Sequence, residues 1–244
     1  MIYDQFAAFY DELFDPAMYD SWLDFVRRQG VSKDAQILDL ACGTGRLAVK
    51  LVSAGYHVTG LDLAPEMLTL AVRWAEQAHV ELPLIEGDML AIGDLPQYDM
   101  ITCFDDSLCY LKDETQMLTA FQEAHAHLTS TGRYLFDVIT PYQTDVVYPG
   151  YMYNFHDEDR AFMWSSYEGD EPHQAEHDLN FFIWNEQKQA YDQHSELHVE
   201  RTYPVETYQR LLQEAGFSNV TVTADFGTAA PTAETTRWFF SCQA

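Results

Sequence analysis

The chain has 244 residues, 47% of them hydrophobic and 14% aromatic, enough for one large domain or one domain carrying a sizeable insertion. Thirteen basic against 39 acidic side chains leave a net charge of −26, and so acidic a surface repels phosphate backbones, which argues against a nucleic-acid partner. Cys42, Cys103, Cys109 and Cys242 show no CxxC pair and no metal-ligand spacing, and no leader or membrane-length apolar run is evident, so a cytoplasmic protein with no membrane association is expected.

Tyr3, Phe6, Tyr10 and Leu13 recur at spacings of three and four and therefore share one helix face. Pro16 interrupts, and Trp22, Phe25 and Val26 form a second stripe ending at Gly30. An aromatic stripe is what a buried core requires, yet two helices ahead of the first strand also suit a lid over its carboxyl end.

Ile37-Leu38-Asp39-Leu40 reads as a buried strand. Gly43 and Gly45 then let the backbone turn tightly into a helix that starts at Arg46 and ends at Gly55. Strand, glycine turn and helix N-terminus make a nucleotide-binding corner. His57–Asp62 is a second strand ending in a carboxylate, and Pro65-Glu66 opens a second helix. Strands follow at Leu84–Met89 and Tyr98–Phe104, the latter ahead of Asp105-Asp106-Ser107. Asp113 with Gln116 suggests a capping box on a helix through Leu128, and Gly132–Ile139 is the fifth strand.

Strands alternating with helices mean βαβ units and a doubly wound parallel sheet, with ligands outside the carboxyl ends of its strands. Gly43, Gly45, Asp62, Asp88, Asp105 and Asp106 all fall at those ends. Between residues 142 and 203 the pattern changes to short alternating runs separated by turns at Gly169–Pro172 and Asn185–Gln189, an antiparallel β insert. The α/β unit, covering residues 31–141, resumes over 204–244 with a helix to Gly216 and two final strands.

Gly43-x-Gly45-x-x-Ala48 with Asp62 also matches the dinucleotide fingerprint, and alone it cannot separate NAD from other adenosine ligands. Asp39 behind the glycines tips the balance, because a carboxylate repels a pyrophosphate and attracts an ammonium or sulfonium. Asp88, closing the third strand, suits an adenine amino group.

Leu38–Gly45, Gly60–Leu68, Glu86–Met89, Tyr98-Asp99 and Glu214–Phe217, in this order, resemble the class I S-adenosylmethionine-dependent methyltransferases. Phe6–Leu13 and the β insert look most like the YqeM-like branch and are also similar to sugar-amine N,N-dimethyltransferases. The resemblance implies the seven-stranded, Rossmann-like methyltransferase fold and S-adenosyl-L-methionine as methyl donor. It implies Gly43 and Gly45 against the methionine portion, Asp39 ordering its amino group, and Asp62 accepting from both ribose hydroxyls. Leu63 and Met67 would pack near the adenosine, Asp88 and Met89 against the adenine, and Phe104 and Asp105 along the site. Residues 1–30 would form a helical lid over the site, supplying Tyr10 and Trp22.

The acceptor expected is an amine or hydroxyl of a small molecule, received by a monomer or homodimer. An RNA or protein substrate, or cofactor binding without turnover, is the alternative. A neutral amine must attack, so a group that accepts its proton is wanted. Asp137 at the end of the fifth strand is one candidate, and His194 and His198, on one strand face with Glu196, are others. The histidines offer no coherent ligand set, and no metal is assigned.

Overall fold

The computed structural model describes residues 15–244; the expected first helix, with Tyr3 and Tyr10, lies outside the described residues. Helix α1 (Pro16–Arg28) begins at Asp15, whose carboxylate accepts from the Ala17 N–H, and has Pro16 in its first turn, where the missing N–H costs nothing. It buries Trp22, Leu23, Phe25 and Val26, the face that the aromatic stripe marks.

The strands in chain order are β1 (Gln36–Leu40), β2 (His57–Asp62), β3 (Leu84–Glu86), β4 (Tyr98–Cys103) and β5 (Leu128–Ile139). Then come β6 (Met152–His156), β7 (Arg160–Glu168), β8 (Gln174–Asn185) and β9 (Ala190–Arg201), followed by β10 (Ser218–Thr223) and β11 (Arg237–Gln243). Seven form one sheet in the order β10-β11-β5-β4-β1-β2-β3, with β11 antiparallel to both neighbours. Helices α2 (Arg46–Ser53), α3 (Pro65–Ala78), α4 (Glu114–Ala126) and α5 (Val205–Glu214) complete the βαβ units.

Both faces of the central strands are covered, which explains their unbroken apolar runs. Ile37, Met100 and Leu135 join Trp22, Phe25 and Leu51 on the side of α1 and α2. Leu38, Ile101 and Phe136 join Phe121, Tyr208 and Leu211 on the side of α4 and α5. This is the doubly wound seven-stranded methyltransferase fold.

Two local expectations shift. Strand β5 starts at Leu128 instead of Gly132, because Leu128 pairs with Tyr98 before an irregularity that re-enters register at Met100 and Arg133. Gly132 sits in that bulge, where a Cβ would lie 2.9 Å from the Thr129 carbonyl oxygen. At α4, Asp113 accepts from the Thr115 and Gln116 amides, whereas Gln116 reaches back to the Lys112 N–H, one residue before the cap.

The second sheet runs β6-β7-β8-β9, antiparallel throughout, as the alternating runs imply. The β8–β9 turn closes where Asn185 Oδ1 accepts from the Gln187 and Lys188 amides. Register places Ser166 opposite His177, His177 opposite His198, and Ala175 opposite Glu200. Period two therefore sets Trp164, Ser166, His177, His198 and Glu200 on one face, turned toward the end of β4. No helix among the described residues is long and apolar enough to cross a membrane.

Candidate active site

The loop after β1 coils through three left-handed residues, Ala41 (φ 56°), Gly43 (φ 54°) and Gly45 (φ 74°). Its two glycines do different things. A Cβ at Gly45 would lie 2.6 Å from the Ala71 Cβ on α3, so this glycine lets the loop pack against that helix. A Cβ at Gly43 would meet nothing within 4 Å, because this residue borders a cavity.

That cavity, about 380 Å³, opens at the carboxyl ends of β1, β2 and β4. It brings together Asp39, Gly43, Asp62, Met67, Phe104 and Asp105, with Trp22 over them from α1. Asp62 Oδ2 accepts from the Gly43 amide at 2.7 Å and Oδ1 from the Ala64 amide at 2.9 Å, tying the end of β2 to the glycine loop. Burial raises its pKa, opposed by the Ala64, Gly43 and Leu63 amides. Asp39, 3% exposed, accepts from the Thr102 hydroxyl at 2.6 Å. Burial pushes Asp39 up to about 7, opposed by Thr102 and reinforced by the charge of Asp62.

Other expected residues stand elsewhere. Leu63 is 68% exposed and turns away from the cavity. Asp88 accepts from the Leu90 amide at 2.9 Å in an Asx turn, and Met89 packs against the core on the α4 side, so neither lines the cavity. Tyr10 is outside the described residues. Tyr19, which also lines the cavity, was legible as the residue one turn before Trp22 on the same helix face. Thr44 and Cys42, within the loop itself, carried no such signal.

Beyond β4, Asp105 (φ 58°) and Asp106 (φ 48°) are consecutive left-handed residues without glycine, a strained turn that its neighbours must hold. Arg237 of β11 holds it, with Nη2 2.6 Å from Asp106 Oδ2 and Nη1 2.9 Å from Asp137 Oδ1. Burial raises both Asp105 and Asp106, opposed by the Arg237 guanidinium. Asp137 does not stand where a base for the acceptor would. It is wholly buried and lines neither cavity, with Oδ2 accepting from the Trp22 indole at 2.6 Å and Oδ1 also from the Asp106 amide at 2.8 Å. A carboxylate bound by an indole, an amide and a guanidinium is a fixed strut between α1, the turn after β4 and β11.

A second cavity of about 440 Å³ lies between that turn and the inner face of the second sheet. Its walls are aromatic, from Tyr148, Tyr151, Tyr153, Phe162 and Trp164, and its polar groups include His177, Glu200 and Arg237. Asp105, Tyr110 and His198 line both cavities. His198 Nε2 is 2.8 Å from Glu196 Oε2 and Nδ1 is 2.9 Å from the Tyr110 hydroxyl. Glu196 accepts from Nε2–H, so Nδ1 keeps a lone pair for the Tyr110 O–H. His194 shares this strand face but lines neither cavity.

A family model described as a methyltransferase domain matches residues 37–132. A Bacillus subtilis (strain 168) protein named as a methyltransferase, YqeM, is 38% identical over 244 residues, covering 100% of this chain and 97% of the relative. The crystal structure of an S-adenosylmethionine-dependent methyltransferase from Clostridium acetobutylicum superposes with a TM-score of 0.86 at 25% identity, covering 100% of this chain and 99% of that one. A sugar N-methyltransferase from Streptoalloteichus sp shares the fold with a TM-score of 0.77 at 20% identity, covering 96% and 91%. The glycine loop, the two carboxylates behind and beyond it, and full-length likeness to these proteins agree: the chain belongs to the class I S-adenosylmethionine-dependent methyltransferases, in the branch of YqeM.

Proposed function

We propose that this methyltransferase transfers its methyl group to an amine or hydroxyl of a small molecule bound in the aromatic cavity beneath the second sheet. The observation that carries this reading is the shared wall: among the described residues, the two cavities have Asp105, Tyr110 and His198 in common. The methyl donor fits the first cavity on three grounds. Gly43 leaves open the space that a side chain would fill. Asp62 has accepting capacity beyond its amide bonds, suited to ribose hydroxyls. Asp39, acted on by another carboxylate, is complementary to an ammonium.

S-adenosylmethionine, when bound, supplies a methyl group already activated by its sulfonium. The chain's own work is positioning and proton acceptance. Positioning of this kind can contribute up to ~7–11 kcal/mol to barrier lowering. Tyr110, hydrogen-bonded to His198 Nδ1 and backed by Glu196, offers a path that takes a proton from an acceptor at the shared wall. Trp22 and Phe104, stacked 6.1 Å apart, give the donor side an apolar wall. Asp137 serves as a positioning residue for Trp22 and for the Asp105-Asp106 turn.

The acidic surface and the concave, ring-lined cavity favour a small acceptor over RNA or protein. The test is a panel of amines, nucleotide sugars and phenols scored by mass spectrometry for S-adenosylhomocysteine formation. Turnover with at least one small acceptor is expected. Transfer to RNA or protein alone, or tight cofactor binding with no acceptor turned over, refutes the reading.

A further inference from the structure

Two residues that line the aromatic cavity, His177 and Glu200, each carry a buried polar atom, Nε2 and Oε2, that makes no hydrogen bond among the described residues and faces only the other in a long ion pair. His177 is 2% exposed and Glu200 6%. They stand 3.4 Å apart, beyond the usual N–H···O range, on the adjacent strands β8 and β9. Buried polar atoms in this number and closeness are costly unless something satisfies them.

The other side of the imidazole reveals which atom carries the proton. The Trp164 indole N–H can only donate, and it lies 2.9 Å from Ser166 Oγ and 3.2 Å from His177 Nδ1. Ser166 Oγ is itself 2.8 Å from that Nδ1. With donors aimed at it, Nδ1 holds a lone pair, and the neutral ring carries its proton on Nε2. Protonating Nδ1 would set an N–H against the Trp164 N–H. The Tyr148 ring, edge-on at 4.6 Å between centroids, fixes the imidazole plane. A donor, Nε2–H, thus stands immediately beside an acceptor, the Glu200 carboxylate, on two residues that line the cavity.

Only some ligand groups satisfy both. An ammonium satisfies Glu200 and leaves the His177 N–H facing a cation. A carboxylate satisfies His177 and is repelled by Glu200. A hydroxyl donates to Glu200 and accepts from His177. We propose that His177 and Glu200 form a hydroxyl-binding clamp, so that the methyl acceptor carries, besides the methylated atom, a free hydroxyl held at this end of the cavity. Glu200 is two residues beyond His198 on the same strand, about 7 Å along it. The clamp therefore stands one six-membered ring away from the wall shared with the donor cavity, and the Tyr151 and Trp164 rings of the same cavity offer faces for the C–H groups of such a ring. The clamp names the substrate class of the site proposed above and rests on that reading.

The probes are the 2-, 3- and 4-aminocyclohexanols against cyclohexylamine, with S-adenosylmethionine present. Two readouts run in parallel: S-adenosylhomocysteine formation by mass spectrometry, and the His177 ring signals of 15N-histidine-labelled protein, assigned with His177→Gln. The expected result is that one aminocyclohexanol exceeds cyclohexylamine in kcat/KM by about tenfold or more, the effect of leaving two buried groups unsatisfied. Glu200→Gln should bring that ratio within about threefold of unity, with the Kd for S-adenosylmethionine unchanged. The same aminocyclohexanol should shift the His177 Nε2–H signal, and cyclohexylamine should not. A ratio that survives both Glu200→Gln and His177→Gln, a proton on Nδ1, or His177 signals unmoved by every aminocyclohexanol would overturn the clamp. His177 signals that move without any methyl transfer would uphold the clamp and sink the transfer reading, so the two failures are distinguishable.

Discussion

Asp39→Asn isolates the most perturbed carboxylate of the donor cavity. Asp39 titrates at about 7 in the ligand-free fold against its ordinary value of 3.8, chiefly through burial. That gap corresponds to about 4 kcal/mol of free energy for ionising it inside the fold relative to the unfolded chain. Because the folded value is the higher one, the folded state holds the proton longer as pH rises from about 4 to about 7. Stability contributed by this group is therefore present at low pH and lost across that window, then constant above it. Asp39→Asn keeps an acceptor for the Thr102 hydroxyl and removes the titration. Urea unfolding of both proteins at about pH 5 and about pH 8 should show the variant gaining roughly 2–4 kcal/mol on the wild type between the two, other groups cancelling in the difference. Binding carries the opposite sign: an ammonium against Asp39 favours the ionised form, so the wild-type Kd for S-adenosylmethionine should improve by up to about tenfold per pH unit below about pH 7. Calorimetry on the Asp39→Asn variant should show that slope gone. Parallel stability curves for the two proteins, or equal pH slopes of binding, would refute the reasoning.

Three further outcomes are expected. Asp62→Asn should weaken S-adenosylhomocysteine binding by about 10–100-fold in calorimetry, the loss expected if Asp62 makes the proposed charge-assisted bonds to the ribose hydroxyls. Arg237→Met leaves Asp105, Asp106 and Asp137 clustered without their guanidinium, and should lower unfolding free energy by about 3–5 kcal/mol at neutral pH. The loss should shrink toward about pH 5, where Asp105, raised by burial to about 6, takes up its proton. Gly45→Ala forces a 2.6 Å contact with Ala71 on α3 and should cost about 2 kcal/mol or more in denaturant melts, whereas Gly43→Ala meets no atom and should cost only about 1 kcal/mol of backbone strain while weakening the cofactor.

The meeting of Asp39, Gly43 and Asp62 at one cavity was legible because these residues are local. Strand, glycine turn and helix are contiguous in sequence, so Asp39, Gly43 and Asp62 carry their geometry in their spacing. Asp88 shows the limit of that reading. Gly-Asp after a short strand serves a turn as readily as a ligand, and here the Leu90 amide takes one carboxylate oxygen. Asp137 misled for a different reason: its place at the end of β5 was right, but the Arg237 and Trp22 groups that engage it lie 100 and 115 residues away in the chain.

The acceptor half depends on register, which no window of sequence contains. The period-two alternation of His194, Glu196 and His198 correctly set them on one strand face, and it could not say that His198 meets Tyr110 across 88 residues or that His194 falls short of the cavity. Continued two residues further, the same alternation reaches Glu200, whose ordinary place in a charged strand gave no hint of burial. Only the pairing of Ala175 with Glu200 and of His177 with His198 sets a buried carboxylate beside a buried imidazole. Because that juxtaposition is a property of strand pairing, a one-residue slip of β9 would turn Glu200 outward and separate it from His177. On the proposed function, specificity for the acceptor rests on the second sheet's register and use of the methyl donor on the glycine loop's local geometry, so the two should be separable by mutation.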